Sequence, residues 1–209
     1  MKFENTSVYN IYNAVLGARN PLESWNKSDS LFKGFDGKIE STEIGENDLT
    51  LAQKLIKAGS EHRKFMRQIL VSVDLTAPLF WWKEFDTYKV GTVANSTSTM
   101  HKLASTPITK DCFECPDLIM TSFIMYLEEL RKMYVDTKDK TTWKKLIVNL
   151  PESWLQTRTV TMNYENLLSM YNQRCVHLHK LSEWSIIFKE WVESLPYAKE
   201  LICIPLEKK

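Results

Sequence analysis

The feature that most constrains the fold is a run in which apolar and polar residues alternate before a proline. Apolar residues occupy every second position, at Ile69, Val71, Val73 and Leu75. A period of two, rich in β-branched residues, predicts a strand with at least one buried face. Pro78 ends this strand, because proline has no N–H for the ladder and holds the residue before it extended.

Two contrasting segments follow this strand. Residues 80–85 (Phe-Trp-Trp-Lys-Glu-Phe) are mostly aromatic and predict a short helix packed beneath the strand. Residues 92–99 are almost all small hydroxyl and amide side chains, and Gly91 frees the backbone before them. We expect this second segment to offer hydroxyls and backbone N–H groups to a polar ligand rather than to enter the core.

Helix and strand patterns alternate irregularly along the rest of the chain. Strands are predicted over 2–8 and 157–162, and helices over 11–17, 49–56, 118–135, 141–148, 163–179 and 181–195. Residues 20–47 predict a long loop. Asn47 or Asp48 is predicted to cap the helix over 49–56, and Gly59 to end it. Helices interleaved with a few non-sequential strands indicate an α+β fold.

Composition restricts the possible functions. The chain has 209 residues, so it fits one domain or at most two. Its net charge is +1, so we expect no strong sequence-independent attraction to nucleic acid or to an anionic membrane. No run approaches the roughly 20 apolar residues of a membrane span, and the first residues do not resemble a signal peptide. We therefore expect a cytoplasmic protein that does not enter a membrane.

The four cysteines are expected to be thiols in that compartment. Cys112 and Cys115 form one C-x-x-C pair, and no second pair follows it. A zinc ion would need Cys175, Cys203 or a histidine to complete four ligands. A pair of loop thiols explains the motif better, so we expect no metal.

Catalytic motifs of the common kinds are missing from the sequence, which lacks G-x-G-x-x-G, P-loop, G-x-S-x-G and H-E-x-x-H patterns. Arg174 lies near the edge of a predicted buried helix face, where a guanidinium needs an anionic or carbonyl partner. A carboxylate such as Glu183 and a ligand phosphate meet this need equally well. His62 precedes the predicted strand, where a lone histidine is more often a surface or capping residue.

Most of the chain nevertheless resembles the flavin-dependent thymidylate synthases (ThyX), which methylate dUMP to dTMP with FAD. That family has a histidine, a strand ending in Ala-Pro, and then R-H-R-x-x-S-x-N-E-x-S-x-R. Later it has Leu-Pro, a strand, N-x-R and an arginine eleven residues beyond that asparagine. The layout is matched by His62, Ala77-Pro78, Leu150-Pro151, Asn163 and Arg174.

The resemblance implies a ThyX-like fold, a small antiparallel sheet flanked by helices in a single domain over residues 1–209. It also implies which residues form the site. Flavin contacts are assigned to His62, Lys89 and Asn163, nucleotide contacts to Asn95, Ser98 and Arg174, and a catalytic role to Ser98. A homotetramer is implied as well, because the pockets of the family are shared between subunits.

Several charges differ from the family pattern. The R-H-R triplet is Thr87-Tyr88-Lys89, and Glu165 replaces the arginine of N-x-R. A diphosphate needs several charge-assisted donors, each worth roughly 1.5–3 kcal/mol. We therefore expect a homologue that binds a nucleotide or similar small anion, with lost or altered catalysis, and that binds FAD only if it is catalytically active. Two alternatives are an active synthase with unusual ligation and a non-enzymatic oligomer that binds proteins or sequesters nucleotides.

Overall fold

The computed structural model describes residues 1–35, 38–176 and 179–206, with the backbone alone for 34, 35 and 38–42. Within these ranges one antiparallel sheet has the strand order β1-β4-β6-β5. Its strands, numbered in chain order, are β1 (Lys2–Tyr9), β4 (Leu70–Pro78), β5 (Val93–Ser96) and β6 (Leu155–Asn163). The strands β2 (Leu31–Phe35) and β3 (Lys38–Glu43) form a separate antiparallel pair. The predicted α+β class is confirmed.

Helices connect these strands. The α-helices are α1 (Ile11–Gly17), α2 (Glu46–Ala58), α3 (Leu79–Phe85), α4 (Thr99–Lys102), α5 (Thr121–Thr137), α6 (Lys140–Val148), α7 (Tyr164–Met170), α8 (Lys189–Glu193) and α9 (Ala198–Leu201). A 3₁₀-helix covers Arg63–Gln68, and π-helical turns cover Tyr171–Cys175 and Glu183–Phe188. Residues 177 and 178, near the end of the predicted helix over 163–179, lie outside the described residues. None of the described helices is both long and apolar enough to cross a membrane.

The alternating run forms β4, as predicted. Its apolar residues Ile69, Val71, Val73 and Leu75 are almost completely buried. The strand pairs with β6, and the Thr76 and Thr157 hydroxyls lie 2.7 Å apart in this pairing. The aromatic run after β4 forms α3, which confirms the predicted helix.

Two expectations for residues 20–58 are wrong. The predicted loop over 20–47 contains the pair β2–β3, and the polar sequence over 38–43, Lys-Ile-Glu-Ser-Thr-Glu, lacks the apolar alternation that would have indicated a strand. The cap of α2 is Gly45, not Asn47 or Asp48. Asp48 instead lies inside the first turn and is buried. Gly59, with φ of 121°, ends α2 as predicted.

The chain divides into two compact units. Unit 1 consists of Met1–Glu4, Asp74–Thr87 and Ala94–Thr159, and unit 2 of Asn5–Val73, Tyr88–Val93 and Val160–Lys209. In unit 1, α5 packs on α6 over an apolar cluster of Leu103, Ile108, Phe113, Ile124, Leu127, Leu130 and Leu146. In unit 2, α2 packs on α9, and the 3₁₀-helix over 63–68 packs on α7. A single domain over 1–209 stays a prediction.

Candidate functional site

A small pocket in unit 1 contains the end of the polar segment 92–99. Its volume is about 170 Å³, and its lining residues are Thr97, Ser98, Thr99, Lys102, Leu103, Thr106, Pro107, Cys112, Trp154 and Leu155. Four hydroxyl side chains, one ammonium group and one indole ring therefore share one concave surface. Such a mixture suits a ligand with a flat part and with polar or anionic groups.

Ser98 lies at the start of α4, where it caps the helix. Its Oγ accepts a hydrogen bond from the backbone N–H of His101 at 3.3 Å and lies 3.0 Å from His101 Nδ1. An unprotonated Nδ1 would accept the Ser98 proton and make this hydroxyl a better nucleophile. The catalytic role of Ser98 stays a prediction, because helix capping alone requires the same position. Asn95 is an exposed residue of β5.

Asn163 is buried and caps α7 in unit 2. Its Oδ1 accepts a hydrogen bond from the backbone N–H of Asn166 at 3.0 Å, and Asn166 Oδ1 accepts one from the backbone N–H of Asn163 at 3.1 Å. This reciprocal pair holds the start of the helix. The Nδ2 of Asn166 donates to the carbonyl oxygen of Val90 at 2.6 Å. The turn over 88–92, which contains the exposed Lys89, is thereby attached to α7.

Gly91 permits this close approach. Its φ is 81°, a conformation that residues with a side chain rarely adopt. A Cβ at this position would lie 2.7 Å from Asn163 Nδ2 and 3.2 Å from Asn166 Oδ1. The turn over 88–92 therefore depends on glycine both for its backbone conformation and for the space above the cap.

Arg174 lies at the end of the π-helical turn over 171–175, an irregularity that is frequent at functional sites. Its Nε donates to the Tyr88 hydroxyl at 3.0 Å, and its Nη1 lies 3.1 Å from His179 Nε2. Its guanidinium carbon lies 5.5 Å from the centre of the Trp184 ring and 5.8 Å from that of Tyr88. Aromatic and imidazole groups thus surround the guanidinium.

Glu165 forms ion pairs that the sequence reasoning missed. Arg63 Nε donates to Glu165 Oε1 at 3.1 Å, and Arg67 donates to both carboxylate oxygens of Glu165 through Nε and Nη2. The sequence feature that could have indicated these ion pairs is the basic run His-Arg-Lys-Phe-Met-Arg over 62–67. The reversed charge at position 165 is therefore matched by two arginines from another part of unit 2.

His62 lies at the edge of a larger cavity in unit 2, of about 510 Å³. It is exposed and stands immediately before the 3₁₀-helix over 63–68. The polar or charged lining residues are Arg19, Asn20, Ser24, Glu61, His62, Lys64 and Gln68, and the apolar ones are Gly17, Ala18, Pro21, Leu22, Leu51, Leu55 and Phe65. The cavity mixes one carboxylate with several cations, so its charge alone does not identify a ligand.

Three of the predicted site residues adjoin one turn. Lys89 belongs to the turn over 88–92, Asn163 lies against its Gly91, and Arg174 donates to its Tyr88. Ser98 and Asn95 belong to unit 1, whereas His62 and the other three belong to unit 2. The assigned roles of all six residues stay predictions. Sequence reasoning did not identify Lys102, Trp154, Arg63 or Arg67.

No protein-family model and no curated protein sequence match this chain. Solved structures that are similar to it include the following two. One is thymidylate synthase X (ThyX) from Helicobacter pylori with FAD and dUMP, with a TM-score of 0.71, 14% identity, and 97% coverage of both chains. The other is flavin-dependent thymidylate synthase ThyX from the same organism, complexed with FAD and dUMP, with a TM-score of 0.72 and 16% identity, covering 99% of this chain and 100% of that one.

The chain therefore has the fold of the flavin-dependent thymidylate synthases, which confirms the predicted ThyX-like fold. The likeness to the two Helicobacter pylori structures extends over nearly the whole length of both chains.

The residues assigned to flavin by the resemblance do not fit a tightly held diphosphate. Of His62, Lys89 and Asn163, Lys89 alone carries a fixed positive charge. Asn163 uses its side-chain oxygen and its backbone N–H in the cap of α7. A diphosphate needs several charge-assisted donors held together, and this set supplies too few of them.

Proposed function

We propose that the protein is a nucleotide-binding ThyX homologue whose thymidylate synthase activity is lost or altered. The observation that carries this proposal is the pocket in unit 1, in which the predicted ligand segment meets Lys102 and Trp154. Hydroxyl groups can bind sugar and base, and a single ammonium group suits one phosphate better than the diphosphate of a dinucleotide. The likeness to two structures solved with dUMP supports a nucleotide as the ligand.

The same proposal covers cofactor and location. FAD binding is expected only of a catalytically active protein, and the replacement of arginines by Thr87-Tyr88-Lys89 and Glu165 argues against tight FAD binding. We infer a cytoplasmic protein that binds a nucleotide or a similar small anion. In this proposal Ser98 contacts the nucleotide, whether or not it takes part in a reaction.

We expect the purified protein to bind dUMP, to show no flavin absorption band after dialysis, and to form no dTMP from dUMP. Calorimetric titration measures dUMP binding, an absorption spectrum detects flavin, and a product assay detects dTMP. Ser98→Gly should weaken binding by about 0.5–1.5 kcal/mol, the contribution of one hydrogen bond. Glycine is chosen because it replaces a capping serine at a cost of only a few tenths of a kcal/mol.

Ser105→Gly is the matched control, since Ser105 is an exposed hydroxyl residue of unit 1 outside the pocket lining. It should leave dUMP affinity unchanged. A flavin band that survives dialysis, together with dTMP formation, would instead support the active synthase. Failure of the wild-type protein to bind any nucleotide would support the protein-interaction alternative.

We also propose that the protein is a homotetramer. The outer side of α5 carries the exposed apolar residues Met125, Tyr126 and Met133. We place α5 antiparallel to the α5 of a second subunit, with the two-fold axis at Glu129. Met125 and Met133 are each four residues from Glu129, so Met125 of one subunit meets Met133 of the other. Tyr126 and Lys132 are each three residues from Glu129, so they meet in the same way. Self-complementary pairing of this kind is what a two-fold interface requires, and Tyr126 with Lys132 would form a cation–π contact.

Light scattering of the purified protein is expected to give four subunits. Met125→Lys should reduce this number to two, because a charge in one two-fold interface leaves the other contacts of a tetramer intact. Val148→Lys is the matched control, as Val148 is an exposed apolar residue of α6 outside the proposed interface. A monomeric wild-type protein at micromolar concentration contradicts the proposal.

A further inference from the structure

Glu128 and Arg131, one turn apart on α5, form an ion pair that is largely removed from water. Arg131 Nε donates to Glu128 Oε2 at 2.7 Å, and its Nη2 donates to Oε1 at 2.6 Å, so the pair is bidentate. The two side chains are only 12% and 18% exposed. Lys132 is a further cation near this carboxylate, but its Nζ lies 4.0 Å from Oε1 and the side chain is exposed. The bidentate contact therefore holds each side chain of the pair in one orientation.

The same pair holds both ends of the loop over 104–108. Arg131 Nη1 donates to the carbonyl oxygen of Ala104 at 2.9 Å. Glu128 Oε2 accepts a hydrogen bond from the backbone N–H of Ile108 at 2.8 Å. Both side chains and the whole loop belong to unit 1. One ion pair on α5 thus supplies the donor for one end of the loop and the acceptor for the other.

The loop over 104–108 forms part of the pocket in unit 1. Its residues Thr106 and Pro107 are among the lining residues. The Cys112 thiol, which also lines the pocket, donates to the carbonyl oxygen of Pro107 at 3.8 Å. Proline has no N–H, so Pro107 cannot be attached to a neighbour through its own amide. The positions of these lining groups therefore depend on how the two ends of the loop are held.

Stability alone does not explain an ion pair at this place. Leu103 and Ile108 already anchor the loop, because both are buried in the apolar cluster of unit 1. A buried ion pair generally stabilises a fold no more than well-packed apolar residues of the same volume do. Apolar residues at positions 128 and 131, however, could neither donate to the Ala104 carbonyl nor accept from the Ile108 N–H. The pair therefore contributes an orientation of the loop backbone that apolar packing cannot supply.

We propose that Glu128 and Arg131 are positioning residues of the unit 1 pocket, which place the loop over 104–108 and thereby set the affinity for the ligand. This inference rests on the proposed function and deepens it, because it adds two residues that act on the nucleotide through the loop. Neither of them lines the pocket. The groups that they place toward the nucleotide belong to Thr106 and Pro107.

Two readouts on the full-length protein test this inference. One is calorimetric titration with dUMP, and the other is the rate at which iodoacetamide alkylates Cys112. Alkylation is followed by peptide mass spectrometry in a Cys115→Ser background, because Cys115 is exposed and reacts as well. Arg131→Met keeps an apolar stem and removes every donor. It should weaken dUMP binding about tenfold, the equivalent of one ligand hydrogen bond. It should also speed Cys112 alkylation several-fold, because a displaced Pro107 no longer accepts from the thiol.

A charge-reversed protein, with Glu128→Arg and Arg131→Glu together, separates positioning from stability. It restores an ion pair, so it should melt at a higher temperature than Arg131→Met. A guanidinium at position 128 cannot accept from the Ile108 N–H, and a carboxylate at position 131 cannot donate to the Ala104 carbonyl. Its dUMP affinity and its alkylation rate should therefore stay at the values of Arg131→Met. Recovery of both readouts together with the melting temperature would assign the pair to the fold and overturn the inference.

Asp139→Ala is the matched control in the same pair of helices. Asp139 caps α6, where its Oδ2 accepts from the backbone N–H of Thr142 at 2.7 Å. Loss of a cap should lower the melting temperature. It should change neither dUMP affinity nor the alkylation of Cys112, because α6 contributes no residue to the pocket lining.

The two readouts separate this inference from the proposed function. Unchanged Cys112 alkylation in Arg131→Met overturns the inference, whether or not the protein binds dUMP. Faster alkylation with unchanged dUMP affinity overturns it as well, because the loop then has no part in binding. If the wild type does not bind dUMP, the proposed function fails, and alkylation alone decides whether the pair places the loop. Glu128→Gln keeps the shape of the side chain and provides the same two tests, with smaller changes, should Arg131→Met not fold.

Discussion

Asp48→Asn is expected to lower the free energy of unfolding by about 3–5 kcal/mol, the usual cost of removing one partner from a buried ion pair. Asp48 is 1% exposed, and Arg19 Nε donates to its Oδ1 at 2.5 Å. The hydroxyls of Ser28 and Ser30 donate to its other oxygen at 2.6 and 2.5 Å. The substitution leaves the buried guanidinium of Arg19 without its counter-ion.

The pH dependence of stability gives a second signature of this aspartate. Burial raises the pKa of Asp48, but the hydrogen bonds from Ser28, Ser30 and Arg19 outweigh burial, so the pKa lies below its usual value of 3.8. A carboxylate with a lowered folded-state pKa stabilises the protein above its unfolded-state pKa. That stabilisation is lost as the pH falls through the folded-state pKa. Asp48→Asn should therefore lose less stability than the wild type between pH 7 and pH 3.

Denaturant unfolding curves at pH 7 and pH 3 measure both effects. Asp136→Asn is the matched control, because Asp136 is an exposed aspartate of α5. It should shift stability by no more than about 0.5 kcal/mol at pH 7, as is usual for surface substitutions. If Asp48→Asn changes the free energy of unfolding only slightly at pH 7, or leaves its pH dependence unchanged, the Arg19–Asp48 ion pair does not stabilise the fold as proposed.

Asp48 also illustrates what the sequence does not reveal. An aspartate near the start of a helical pattern predicts an N-cap, since a free carboxylate favours that place. Its real partners are Arg19, 29 residues earlier, and Ser28 and Ser30 in the segment predicted as a loop. The local sequence indicates that Asp48 favours the start of a helix. Tertiary contacts decide whether its side chain is exposed or buried.

The elements themselves were easier to predict than their partners. The alternation at 69–75 and the apolar helix faces are local patterns that burial requires, so they predicted β4, α3, α5 and α6. The polar pair β2–β3 has no such pattern over 38–43, and it was missed. Local patterns therefore predicted these elements with a buried face and missed the polar pair β2–β3.

The same reason limits prediction of the site. The hydroxyl segment around Ser98 was identified from its composition, but Trp154, which lines the same pocket, lies more than fifty positions away in the chain. Arg63 and Arg67 lie 102 and 98 positions from Glu165. Nothing local to Glu165 indicates that its reversed charge has partners. Single residues of a site could be predicted from their residue type and their order in the chain. The partners that balance their charges could be identified only from the folded structure.

Arg174→Ala is expected to weaken dUMP binding by roughly 1.5–3 kcal/mol, the contribution of a hydrogen bond to a charged group. Arg174 retains the family spacing from Asn163, and it adjoins the turn over 88–92 that contains Lys89. A guanidinium held between Tyr88 and Trp184 is pre-oriented, so little side-chain entropy is lost when it contacts a phosphate. Calorimetric titration with dUMP measures the effect.

The substitution should also lower thermal stability, because it removes the hydrogen bond to Tyr88, the contact with His179 and two cation–π contacts. Arg158→Ala is therefore the informative control. Arg158 stacks over the ring of Trp82 at 4.1 Å and pairs with Asp86 at 2.7 Å, so its loss resembles that of Arg174 in its structural cost. Arg158 has no assigned ligand role, and its replacement should lower the melting temperature without changing dUMP affinity.

Tyr88→Phe completes the comparison, because it removes the hydroxyl that accepts from Arg174 and keeps the ring. If Tyr88 positions Arg174, this variant should weaken dUMP binding by less than Arg174→Ala does, and more than Arg158→Ala does. An Arg174→Ala protein that melts at a lower temperature but binds dUMP like the wild type would show that the guanidinium serves the fold. Because Arg158→Ala imposes a comparable structural cost without a ligand role, only a loss of affinity specific to Arg174→Ala and Tyr88→Phe assigns the phosphate contact to Arg174.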